Sequence, residues 1–538
     1  MALTEGIFAL LLFLLPTIDA LHLNQAFASQ EQAQAFESSL LHQACLNTIN
    51  HDACISRLHV ERQGKGPLPI LHAAIRGTIN EAIRAVDTMS DLTGLSRSPR
   101  EEMAIHDCVE LLGYSVDELG WSLAEMADME LGGSNMHQEG NLRAWLSAAL
   151  TNQDTCLEGF DGTDGRLRHY VEQSLSQMNQ LVSNLLAMHK RLRSIIPHIP
   201  HNITGGSWKK DLPPWLTEEE LRPMRADVKA MHVDAVVALD GSGGFRSINQ
   251  AMSRAPNHSS RRYVILVKKG EYRENVELKK KYTNIMLVGE GMGVTVISGS
   301  RSFMDGWTTF RTATFAVSGR GFIARDITFR NTAGPQNFQA VALRVDSDRS
   351  AFFRCSIEGY QDTLYAHSLR QFYRDCNIYG TIDFIFGNGL VVLQHCNIHT
   401  RRPLPYQKVT ITAQGRKDPN QNTGFSIHNC IIDATTPTYL GRPWKAYSRT
   451  VVMQSYLGSQ VQPTGWLEWA GNFGLNTLYY GEYMNYGPGA GLAGRVRWPG
   501  YHVIRDASVA GFFTVRRFID GLSWLPATGV AFTADLNK

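Results

Sequence analysis

Two aspartates, an arginine, a tryptophan and two glutamines carry the chemistry that this chain offers. Asp383 sits in YGTIDFIFG (379–387), inside an apolar run made by Ile382, Phe384, Ile385 and Phe386. Burying an ionised carboxylate is costly unless it is paired or hydrogen-bonded, so the run predicts a partner or a function for Asp383. Asp362, in YQDTLYAH (360–367), stands seven residues after Cys355, and Asp383 stands seven after Cys376. The shared offset places both acids at the same point of successive repeats. At strand spacing their Cα atoms would lie about 5 Å apart. Two carboxyls that close repel, and one pKa rises. A stability ladder stacks like with like and gains nothing from repulsion, whereas acid–base catalysis uses it. Gln339, in FQAVAL (338–343), lies 23 residues before Asp362 and is expected to extend the column. YLGRPWKAY (439–447) supplies Arg442, which can hold one carboxylate bidentately, and Trp444, either a sugar-stacking surface or a core residue.

These residues need a scaffold that repeats. From about residue 231, short β-branched and aromatic runs recur between Gly and Asn, as in YVILVKKG and NIMLVGEG. FFRCSIEGY, FYRDCNIYG and VLQHCNIHT share a Cys-x-Ile core at spacings of 21 and 20 residues, and IHNCIIDA follows 34 later. An imperfect repeat of this length predicts a right-handed parallel β-helix, one coil per repeat. Cys376 and Cys396, one coil apart, have the Cα separation of a disulfide, about 4.4–6.8 Å. Cys396–Cys430 is the competing pair, and stacked free thiols are the third option.

The first part has a different period. Leu71, Ile75, Ile79, Ala82 and Val86 recur at three- and four-residue steps, as do Val171, Leu175, Met178, Val182 and Leu185. Such stripes predict amphipathic helices packed as an all-α four-helix bundle over 30–190, with an N-terminal extension. Residues 191–230, with Pro197, Pro200, Pro213 and Pro214, read as a linker. An all-β domain then occupies 231–538.

Composition restricts the function classes. The chain has 538 residues, 43% hydrophobic and 19% charged, with a formal net charge of +2. That length implies at least two cores. No basic run argues for nucleic acid. The apolar segment 7–20 is too short to span a bilayer and reads as a secretory signal peptide cleaved near Ala20, although Glu5 and the lack of Lys or Arg before it leave a buried helix or uncleaved anchor open. No other run is long and apolar enough for a conventional spanning helix, so no membrane association is expected after signal removal. Asn202 and Asn257 head glycosylation sequons. No C-x-x-C or zinc-spaced His pair occurs, so neither metal nor cofactor is expected. In a secreted chain the first four cysteines are expected to form two disulfides.

GEYREN (270–275), QAVAL (339–343), YQDTLYAH, GTIDFIFGN (380–388) and YLGRPWK (439–445) together resemble plant pectin methylesterase, over a stretch running to ATGVAF (527–532). ALTNQDTCLEGF (149–160) is similar to the pectin methylesterase inhibitor domain. The resemblance implies bridges Cys45–Cys54 and Cys108–Cys156. It implies a secreted, cell-wall hydrolase of methyl-esterified homogalacturonan, needing no cofactor. Asp383 would be the nucleophile and Asp362 the general acid, then base. Gln361 and Gln339 would stabilise the oxyanion, and Arg442 would orient Asp383. Trp444 and Thr309 would contact substrate, with Tyr365 and Phe386 lining the cleft. Many relatives carry a dibasic processing motif where this chain reads EELRPMRADVK (219–229), and some carry Cys in place of Thr328. Competing readings are a pectin depolymerase on the same solenoid, or an inhibitor or wall-binding protein with an inactive solenoid. The helical half is expected to mask the cleft, to assist folding and targeting, or to inhibit another chain.

Overall fold

A computed structural model describes residues 34–35, 38–42, 44–46, 51–61, 67–132, 136–192 and 232–537. The signal segment, most of the linker and Asn202 lie outside the described residues. Asn257 lies in an exposed turn.

After helical residues at 34–35, 38–42 and 44–45, the described chain forms α1 (His51–Glu61), α2 (Pro67–Asp91), α3 (Pro99–Gly132), α4 (Met136–Glu158) and α5 (Arg166–Leu192). Prolines begin α2 and α3, where the missing N–H is no loss. Glu101 and Glu102 lie in the first turn of α3, at the positive end of its dipole. The apolar stripe of α5 is buried along its whole length, and that of α2 turns Leu71, Ile75 and Ala82 inward. The structure carries two disulfides, Cys45–Cys54, and Cys108–Cys156 linking α3 to α4. Among the described residues, no helix is long and apolar enough to cross a membrane.

The rest winds into a parallel β-helix whose three sheets contain eleven, seven and eight strands. The seven-stranded sheet holds β1 (Val276–Leu278), β2 (Phe315–Val317), β3 (Leu343–Val345), β4 (Leu364–Ala366), β5 (Ile385–Gly387), β6 (Val409–Gln414) and β7 (Thr438–Gly441) in simple chain order. Each coil places one strand in each sheet, so equivalent residues stack. Phe315 and Phe329 meet at 4.9 Å inside the solenoid, and Phe352 stacks on Tyr373 at 4.8 Å.

The cysteine column corrects one expectation. Cys355, Cys376, Cys396 and Cys430 are all buried free thiols, so neither Cys376–Cys396 nor Cys396–Cys430 forms a disulfide. Strand register aligns them, because Ser356 pairs with Asn377, Asn377 with Asn397 and Asn397 with Ile431. In-register parallel neighbours hold their side chains parallel at about 4.8 Å, whereas a disulfide draws the Cβ atoms to about 3.8 Å. The thiols contact carbonyl oxygens of adjoining coils instead, Cys376 on Phe352 at 3.5 Å and Cys430 on Leu393 at 3.4 Å.

Candidate active site

Stacking of β4 on β5 sets the site. Leu364 pairs with Ile385 and Tyr365 with Phe386. Two residues upstream, the same register sets Asp362 beside Asp383, and the Asp362 N–H donates to the Ile382 carbonyl at 3.1 Å. Both aspartates adopt left-handed backbone, with φ of 61° and 51°. That region is unfavourable for most side chains but tolerated by Asp. The corners tip the carboxyls out of the strand plane, yet leave Asp362 only 8% and Asp383 only 5% exposed.

Their partners differ. Arg442, directly after β7, donates from Nε to Asp383 Oδ1 at 2.8 Å and from Nη2 to Oδ2 at 2.6 Å. Gly441 permits this approach, since a Cβ there would lie 2.0 Å from Thr412 Oγ1. Thr410, the next residue in the column, donates to Asp383 Oδ1 at 2.6 Å and accepts from the Asp383 N–H at 3.0 Å. Oδ2 therefore accepts from Arg442 alone. Burial alone would lower the Arg442 pKa, but the hydrogen bonds and charge of Asp383 outweigh it and raise it. Burial pushes the Asp362 carboxyl well above the carboxylate range, and the Asp383 charge pushes the same way against the weaker pull of Arg442. One acid is thus held by a cation, while burial and the neighbouring charge favour the protonated form of the other.

A cavity of about 300 Å³ opens over the pair. Gln339, Gln361 and Thr309 line it beside the aspartates and Arg442. So do Tyr365, Phe386 and Trp444. Tyr365 stacks on Phe386 at 4.2 Å, and Trp444 stands edge-on to Phe386 at 6.0 Å. Gln339 reaches the cavity by a route other than the expected column. The Ala340 and Ala342 N–H groups bond to the Gln361 and Thr363 carbonyls, an offset of 21 that sets Val341, not Gln339, beside Asp362. Gln339 instead projects from the segment after the short helix Pro335–Asn337, where Phe338 has φ of 56°.

Sequence reasoning missed Thr410, Phe310 and Trp469. Trp469 lines the cavity, and the Arg442 guanidinium lies 4.4 Å from its ring centre. Asp383 to Thr410 spans 27 residues, outside the cysteine frame, and Trp469 lies on a loop without periodicity.

Helical residues close the cavity from above. Thr155, Glu158, Gly159 and Asp161 all line it. Thr155 Oγ1 lies 2.9 Å from His367 Nε2. Burial holds that imidazole neutral, at a pKa of about 3. Glu158 pairs with Lys445 at 2.7 Å. Further along, Glu110 pairs with Arg311 and Lys279, Glu118 with Lys280 at 3.0 Å, and Trp145 Nε1 donates to Asp348 at 3.0 Å.

A β-helix that sets an arginine-held carboxylate beside a carboxyl whose pKa burial raises presents the paired acids of a carboxylic ester hydrolase. The pectinesterase family model matches residues 234–522, and the plant invertase/pectin methylesterase inhibitor model matches residues 39–188. A relative from Arabidopsis thaliana bearing the pectinesterase/pectinesterase inhibitor name is 60% identical over 89% of this chain and 89% of its own length. A pectinesterase/pectinesterase inhibitor of Prunus persica is 52% identical over 86% of this chain and 89% of its own. The solved pectin methylesterase from carrot is 55% identical, covers 57% of this chain and 98% of that one, and superposes with a TM-score of 0.56. The chain belongs to the pectinesterase family and carries an inhibitor-like helical domain ahead of its esterase domain.

Proposed function

We propose that the chain removes methyl groups from esterified galacturonate in pectin through an acyl-enzyme on Asp383. The carrying observation is the unequal pair, Asp383 gripped by Arg442 and Asp362 pushed towards its protonated form by burial. Asp383 Oδ2 attacks the C6 carbonyl carbon, and Gln339 and Gln361 donate to the oxyanion. Such donors contribute about 2.7–4 kcal/mol each. The tetrahedral intermediate collapses as Asp362 gives its proton to the departing methoxide, which leaves as methanol. Asp362, now ionised, takes a proton from water. The resulting hydroxide attacks the acyl carbon and the acyl–Asp383 bond breaks, freeing Asp383 as carboxylate and galacturonic acid, which ionises by losing its proton to solvent, and leaving Asp362 protonated. Trp444, Trp469 and Thr309 contact the sugar chain.

Methanol release from methylated pectin tests this reading. Asp383→Asn should lower it by about 10⁴-fold or more. Unimpaired release by that variant would end it. Loss of viscosity without methanol would favour a depolymerase.

The helical domain is proposed to mask the cleft in cis. Supporting this are Thr155, Glu158, Gly159 and Asp161 at the cavity and the Glu158–Lys445 pair beside Trp444. The 231–538 segment should then release methanol faster than the whole chain, and equal rates would leave only a folding or targeting role. The leader at 1–20, the disulfides and the acceptors Asn202 and Asn257 support export to the cell wall. Processing of the linker is proposed near Arg222–Arg225.

A further inference from the structure

A second cavity, of about 440 Å³, gathers Arg143 of α4 with Arg416, Arg449 and Arg517 of the esterase domain. None of its lining residues lines the catalytic cavity. Like charges gathered in a partly buried cavity favour an anion between them. Arg449 nevertheless spends its hydrogen bonds on carbonyls, those of Thr423 at 2.8 Å and Gln421 at 3.0 Å. Arg416 likewise donates to Gln421, Pro419 and Tyr447 carbonyls, and is itself only 9% exposed. Asp418, whose charge acts on Arg416, is engaged by Ser183 at 2.5 Å and by the Asn420 N–H at 2.7 Å. Among the described residues, no carboxylate forms an ion pair with Arg416, Arg449 or Arg517. Burial and the charges of Arg416 and Arg143 push Arg449 well below the usual arginine pKa.

The walls speak to the rest of the ligand. Tyr479, Phe513 and Phe518 flank the guanidinium groups, and Phe512, 58% exposed, forms the rim with Arg517 at 5.1 Å from its ring centre. Aromatic faces beside this concentration of positive charge suit a ring that carries a carboxylate, and the volume exceeds the needs of an inorganic anion. We propose that this cavity is an exosite for de-esterified galacturonate, the product chain of the same enzyme. The inference rests on the pectinesterase reading for its ligand class. A pectin strand demethylated in the cleft acquires the carboxylates that this site recognises, so the enzyme holds the stretch of polymer it has already processed. Arg143 makes the site a joint one, with one guanidinium from the helical domain.

Calorimetric titration of the full chain tests it, using a short de-esterified galacturonate oligomer, a neutral galactose oligomer and inorganic sulfate. The acidic oligomer should bind and the neutral one should not. Arg449→Gln and Arg517→Gln should each weaken binding about tenfold or more, the loss expected for one charge-assisted contact. Arg449→Lys should recover part of it, and Trp469→Ala in the cleft should leave it in place. Arg517 is exposed, so its variant remains informative if Arg449→Gln unfolds. Affinity unchanged by both glutamine variants, or abolished by Trp469→Ala, would overturn the exosite. Binding of sulfate with none of the acidic oligomer would overturn the sugar assignment. Methanol release is read separately, so a chain without esterase activity that still binds the oligomer refutes only the catalytic reading.

Discussion

The cysteine column and the carboxylate column run through the same coils, and the step from Cys355 to Cys376 equals the step from Asp362 to Asp383. They behave in opposite ways. Four thiols repeat like on like inside the solenoid, with Cys376, Cys396 and Cys430 each meeting a backbone carbonyl of the adjoining coil. The outward column breaks its own repetition, since Asp383 has an acid on one side and Thr410 on the other, with Arg442 across it. A uniform column preserves the register. A column of unlike neighbours divides protons unevenly, and that inequality is what acid–base chemistry needs.

Short of removing Asp383 itself, the largest effect should come from destroying the inequality. Arg442→Ala strands a buried carboxylate without its cation. Methanol turnover should fall about a thousandfold, equivalent to about 4 kcal/mol. A loss below tenfold would mean that the pairing is dispensable. Stability should respond next, to Glu118 at the domain contact. Burial raises its pKa from 4.5 to about 7, against the pull of Lys280, with Asp117 and Asp346 adding to the rise. A raised folded-state pKa favours the protonated fold. Its contribution is complete below about pH 4.5 and is lost as pH rises through about 7. The shift corresponds to about 3 kcal/mol at most. Melting temperature followed across that range should fall with pH in the natural chain and flatten in Glu118→Gln.

Of the two columns, the carboxylate one is where pH should act on catalysis, through Asp362. Because burial raises the Asp362 pKa, kcat/KM should decline only as pH climbs through that raised value, and Asp362→Asn should erase this alkaline limb along with most activity. A limb that persists in the variant would assign it to another group. The smallest effect belongs to the cysteine column. Cys376→Ala should cost about 1–2 kcal/mol of stability and leave methanol release within about twofold. The unfolded, unreduced chain should titrate four thiols, and two would restore a third disulfide.

Much of this was legible in the residues. The Cys-x-Ile repeat fixed the frame in which Asp362 and Asp383 coincide, and the three-to-four-residue stripes marked the helices. Gln339 was misplaced because it was counted 23 residues before Asp362, whereas the strands there step by 21 and give that column position to Val341. Thr410 was hidden by the long excursion 401–408 before β6. Cα spacing alone left thiols and disulfides undecided, since it does not report whether side chains converge. The burial of Thr155 and Glu158 against the cleft depends on contacts between distant segments, which no local period encodes.

The left-handed corners at Asp362 and Asp383 accept asparagine nearly as readily as aspartate. A gene duplicate could therefore be silenced by the Asp362→Asn exchange alone, which leaves the Asp383–Arg442 pair and the coils beneath in place. Such a copy would still wrap pectin and still present its groove, competing for polymer as a decoy.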